Sequence, residues 1–203
     1  MKKVIVIIVA LLLAITLLPA CDDETQSGYT GYMAPAAGQW VEYVFPNGEE
    51  SHLKIEYIGQ DTVDEKTCTG FEMTTSEPEE MIMQVWTETA TGQVVKYVVK
   101  MEDQVMCMDV GQIPYEPPET ETPGTYEPNL PDITYGTYTT LTGKTVNVAK
   151  FATASEVWVS SQVPFGTVKV IDGEETTLYL YDFGTTGAQR NISKTEMENC
   201  IEY

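Results

Sequence analysis

The chain predicts a mainly β fold, an antiparallel meander forming a curved sheet or half-barrel with one short helix at its C-terminal end. Two observations predict it. Ser51-His52-Leu53-Lys54-Ile55-Glu56-Tyr57 alternates polar and apolar residues, and Val94 to Met101 sets Val95, Tyr97, Val99 and Met101 against Lys96 and Lys100. Between such runs stand turn formers: Pro46-Asn47-Gly48, Thr91-Gly92, Thr142-Gly143 and Asp172-Gly173. Short alternating runs separated by reversals are the pattern of hairpin-connected strands.

Residues 1–20 come first and read as a secretory signal, because Lys2 and Lys3 precede an apolar run from Val4 to Leu18 that ends in Pro19-Ala20. Those fifteen residues would span about 22 Å as a helix, short of the roughly 30 Å hydrocarbon core that an uncleaved membrane helix must cross. Leu18-Pro19-Ala20-Cys21 resembles the lipobox of prokaryotic lipoproteins, with Pro19 departing from the residue usual at that place. The resemblance implies removal of the signal, diacylglycerol on Cys21, and a mature chain on the outer face of the cell membrane. Asp22 after the acylated Cys resembles the inner-membrane retention signal of Gram-negative bacteria. Residues 21–37 are polar, Gly-containing and without period, as a lipidated tether would be.

The remaining 38–203 read as a single β-rich domain. Gln39–Phe45 and Glu50–Ile58 flank the Pro-Asn-Gly turn as a hairpin. Residues 111–131 hold six of the eleven prolines, a density that no helix or central strand survives, so this segment reads as an inserted loop. A division into two subdomains at this segment is the alternative, disfavoured because each flank is small for an independent core. Val157 to Val170 supplies two strands around Pro164-Phe165-Gly166, and Ser193-Lys194-Thr195-Glu196 fits a capping box for a helix ending near Cys200. The Val157–Val170 stretch is similar to the strand pairs of Lol-type lipoprotein-carrier proteins, whose fold is a half-barrel around an apolar cavity closed by helices. The similarity implies a fold and no ligand residue.

Strand parity arranges the candidate sites. Met73, Met81, Met83, Met101, Met106 and Met108 fall on the faces turned inward, beside Phe71, Val85, Val99 and Val110. Methionine adapts to varied apolar partners, so this face reads either as a lining for an acyl chain or greasy peptide or as ordinary core. Trp40, Trp86 and Trp158 fall on the more polar face. They read as a contact surface for an envelope protein or glycan, or as rings covered by the Pro-rich segment or the C-terminal helix.

Acidic residues outnumber Lys plus Arg by 31 to 11, for a formal charge of -20, which excludes nucleic acid as a partner. His52 is the only histidine, so a site of several His ligands cannot be built and a Ser-His-Asp arrangement would depend on one strand residue. Met81, Met83, Met106 and Met108 offer soft sulfur, but alternation sends Cys107 to the opposite face. Asp61, Asp64 and Glu65, or Asp172, Glu174 and Glu175, lack a calcium-loop spacing. The chain therefore reads as a binding protein with no catalytic residues, metal or cofactor. Cys68, Cys107 and Cys200 remain after Cys21, and a shared outward parity favours a Cys68–Cys107 bridge among the three possible. Asn191-Ile192-Ser193 forms a glycosylation sequon.

Overall fold

A computed structural model describes residues 35–46, 51–76, 80–109 and 132–202. Cys21, the signal, most of the tether, the Asn47-Gly48 turn and the 111–131 segment lie outside the described residues.

Among the described residues, twelve strands form one sheet: β1 Trp40–Phe45, β2 Ser51–Val63, β3 Lys66–Thr75, β4 Met81–Glu88, β5 Val94–Met101, β6 Gln104–Asp109, β7 Asp132–Thr139, β8 Thr145–Ala152, β9 Ser155–Val159, β10 Thr167–Asp172, β11 Glu175–Gly184 and β12 Ile201–Glu202. Their order is β12-β6-β5-β4-β3-β2-β1-β11-β10-β9-β8-β7. The expected antiparallel meander is present as two runs of consecutive hairpins, β1 to β6 and β7 to β11, joined where β1 pairs with β11. Only β12 breaks the pattern, lying parallel to β6. Gly92 and Gly173 take positive φ of 70° and 62° in their turns, the conformation that made Thr-Gly and Asp-Gly legible as reversals.

The sheet coils without closing into a barrel, since β12 and β7 stand at its two ends. The Tyr138 hydroxyl on β7 donates to the Leu180 carbonyl on β11 at 2.7 Å, across three intervening strands. Coiling gathers Val41, Leu53, Ile55, Met73, Val85, Val148, Leu178 and Leu180 into one core. Val163 and Phe165, from the turn after β9, plug the same core, and Phe71 meets Phe165 at 5.9 Å between ring centroids. Phe165 reaches that position with a left-handed φ of 64°. For a bulky side chain this conformation costs of order 1–3 kcal/mol, offset by burial of the ring.

A second core lies on the opposite face of β3 to β6 and contains Cys68, Trp86, Val98, Cys107, Ile192 and Met197. Helix α1, Lys194–Glu198, closes over it, held by the expected capping box: Ser193 accepts from the Glu196 backbone, and the Glu196 side chain accepts from the Ser193 backbone. One strand departs from simple alternation. Trp86 pairs with Lys96 and Thr87 with Val94, so Val95 is the extra residue of a bulge and packs against the second core instead of sharing a face with Tyr97.

The disulfide joins Cys107 to Cys200 with a Cα separation of 5.6 Å, and Cys68 is a buried free thiol. This corrects the Cys68–Cys107 expectation. Parity was right, for both cysteines belong to the second core. Strands β4 and β5 separate them, however; three strand spacings amount to about 14 Å, twice the reach of a disulfide. Helix α1 instead returns Cys200 to the side of β6. Burial pushes the Cys68 thiol pKa up.

Candidate functional site

Cross-strand register brings the methionines together. One row runs Ile55, Met73, Met83, Val99, Met106 and Ile201 across β2, β3, β4, β5, β6 and β12. A second runs Tyr57, Phe71, Val85, Tyr97 and Met108, and a third Leu53, Thr75, Met81, Met101 and Gln104. Residues opposite one another share a face. All six expected methionines therefore lie on one surface, and none of its three rows contains a charged residue. In a chain of charge -20, that is a marked local exclusion of charge.

Exposure changes along this surface. Met73 is 3% exposed and belongs to the core, so it is packing rather than open lining. Met81, Met83, Met106 and Met108 are half-buried, while Met101 and Ile201 reach 40% and 58% exposure. Tyr57 and Phe71 rings meet at 5.1 Å, and Phe165 covers the β3 end. Burial raises the pKa of the Tyr97 phenol in the middle row, as expected where apolar neighbours disfavour the phenolate. The domain thus exposes apolar side chains at Met101 and Ile201, next to half-buried methionines, and separately at Leu141. Such a surface binds by dispersion and area burial, at about 25 cal/mol per Å² of apolar contact, and discriminates against charge.

The tryptophans divide. Trp86 is 1% exposed and is no contact surface, which corrects the expectation for that residue. Its ring lies over Gly70 on β3, Arg190 covers it at 5.0 Å, and its indole N–H donates to Gln84 Oε1 at 3.1 Å. The cover is the chain's own segment 189–192. Glu72, fully buried, accepts from Gln84 Nε2 at 2.7 Å, from Asn191 Nδ2 at 2.7 Å, and from the backbone N–H groups of Asn191 and Ile192. Glu56, directly opposite Glu72, accepts from the Gln189 backbone at 2.8 Å and pairs with Lys54 at 2.7 Å. Two buried carboxylates therefore strap the C-terminal segment to the sheet. The sequon amide at Asn191 is one of their donors.

Trp40 and Trp158 are half-buried. Trp40 donates to the Thr186 carbonyl at 3.1 Å beneath Lys54 and Lys144, and Trp158 donates to Glu156 beside Lys150 and Lys169. His52 places Nδ1 2.7 Å from Glu42 Oε1 and its ring against Tyr181, while its backbone N–H, not its ring, donates to the Ser76 hydroxyl at 3.0 Å.

Ile201 was missed by sequence reading because β12 is two residues long and has no alternation to detect. Phe165 was visible only as part of a turn. Comparison with protein-family models, with curated proteins and with solved structures finds no match for the chain.

Proposed function

We propose that this chain is a lipid-anchored, extracytoplasmic binding protein that takes acyl chains or similarly apolar ligands on its methionine face. The observation that carries the reading is the charge-free surface of three cross-strand rows, opening from buried Met73 toward Met101, Met106 and Ile201. Flexible thioether side chains fit chains of varied length and curvature without a fixed pocket. The anchor at Cys21 rests on the lipobox-like Leu18-Pro19-Ala20-Cys21 and would hold the domain on the outer face of the cell membrane. Nothing in the chemistry of the methionine face calls for a catalytic group, a metal or a cofactor.

The test is titration of the mature protein with a fluorescent long-chain fatty acid. Saturable binding that Met101→Gln plus Met106→Gln weakens at least tenfold, with the melting temperature unchanged, supports the reading. Absence of binding, or binding indifferent to these substitutions, overturns it in favour of a structural envelope lipoprotein. The anchor is tested separately. Cys21→Ser should abolish metabolic lipid labelling and release the chain from membranes, and retention with an uncut N-terminus would overturn lipidation.

A further inference from the structure

A different surface, independent of the methionine face, has the features of a peptide-docking edge. Strand β7, Asp132–Thr139, ends the sheet and pairs only with β8, so one side of its backbone has no strand partner among the described residues. The other end of the sheet is blunted by the two-residue β12. Natural edges are protected by lysine, proline, bulges or shortness. Strand β7 is eight residues long, has a continuous register with β8, and contains neither lysine nor proline; its one charge is Asp132 at the start. Ile133 and Tyr135 are 49% and 51% exposed on one of its faces.

The other face carries a cation. Of the nine described Lys and Arg residues, seven form ion pairs with carboxylates, and Lys150 and Lys169 have no carboxylate partner among the described residues. Both instead lie by the Trp158 ring, with the Lys150 ammonium 3.7 Å from its centroid. Lys150, on β8, is opposite Thr134 and two residues from Val148, the partner of Gly136. A Cβ on Gly136 would come within 3.8 Å of Lys150 Nζ. Gly136 thus puts no side chain between the open edge and the Lys150 ammonium, which is stacked on Trp158 and has no carboxylate partner among the described residues.

We infer that β7 receives an extended peptide from another protein as an added strand, with a carboxylate of that peptide next to Gly136 and within reach of Lys150. Main-chain hydrogen bonds along β7 give affinity, and alternate side chains give specificity. The peptide's apolar residues pack on Ile133 and Tyr135, while its acidic residue meets the face where Lys150 and Lys169 stand without carboxylate partners among the described residues. A second copy is the poorer occupant, since twofold pairing of β7 brings together two chains of charge -20.

The probe is a synthetic peptide as long as β7, alternating valine and threonine, with glutamate, glutamine or lysine at its centre. With the full mature chain, the glutamate peptide should bind, slow amide exchange within β7, and outcompete the glutamine peptide about tenfold, the worth of one charge-assisted hydrogen bond. Lys150→Gln should erase that preference, leaving the glutamine peptide's affinity unchanged. Failure of every peptide to protect β7, or a preference that survives Lys150→Gln, overturns the inference. Concentration-dependent self-association that protects β7 without peptide also overturns it, making a second copy the occupant.

Discussion

Gly70 and Trp86 face one another across β3 and β4, and the indole fills the space that a side chain on Gly70 would need. A Cβ built there lies 2.5 Å from the ring, inside any tolerable contact. The same arrangement recurs where Trp40 covers Gly184 across β1 and β11. Gly70→Ala should force the fully buried Trp86 ring out of place and cost about 1–3 kcal/mol, the usual range for overpacking. Chemical denaturation measures the loss, and the emission maximum of Trp86 should move to the red.

Glu72 is the second sensitive point. Glu72→Ala leaves Gln84 Nε2, Asn191 Nδ2 and two backbone N–H groups without their acceptor. Asn191 is exposed and can turn its donors to water, and Gln84 Nε2 still donates to the Ile192 carbonyl, so the buried Ile192 N–H is the main orphan and the loss should be about 1–3 kcal/mol. Glu72→Gln should cost less but still destabilise, because its amide N–H2 meets donors. Hydrogen exchange should show residues 189–192 losing protection first.

Cys200→Ser tests the disulfide. Opening a cross-link between residues 93 apart should destabilise the fold by about 4–5 kcal/mol on the chain-entropy account. Non-reducing peptide mapping should link Cys107 to Cys200 and recover Cys68 as a thiol that alkylates only after unfolding.

The strap should also loosen in acid. Lys194 and Arg190, at 2.8 and 3.0 Å, hold the Asp61 carboxyl near a pKa of about 2 instead of its ordinary 3.8. A depressed folded-state pKa gives stability that is complete above the ordinary value and lost as pH falls toward the folded one. Lys100 and Ser193 hold Glu196 at about 2 in the same way. Protection of the amides in 189–200, taken as exchange relative to the unfolded chain at the same pH, should therefore fall as pH drops from about 4 toward 2, and Asp61→Asn should flatten that dependence.

The strands and the helix cap were legible because their signals are local. Alternation placed all six methionines on one face, turn glycines marked β4–β5 and β10–β11, and Ser193 with Glu196 announced α1. The β2–β3 reversal was not legible, since its left-handed residues are Asp64 and Glu65, with φ of 46° and 64°, and neither is a glycine. The disulfide failed for a different reason. Parity tells which face a cysteine takes but not how many strands lie between two of them, and β4 and β5 fill that gap. Val95 was misplaced by a bulge that no periodicity encodes, and the burial of Trp86 depended on a segment about a hundred residues downstream.

Strand β1 joins the two meanders, and its partners are unequally distant: β2 follows at once, but β11 begins only at Glu175. Such a pairing encloses almost the whole domain in one loop, a contact whose closure entropy must be met before it stabilises anything. Both runs of hairpins can form from neighbouring sequence, so the β1–β11 pairing is the natural late event of folding. A chain delivered N-terminus first would present β1 with one unpaired side until β11 arrives. Interruption of synthesis or export before Glu175 would accordingly yield an aggregation-prone half-sheet, open along its most buried strand.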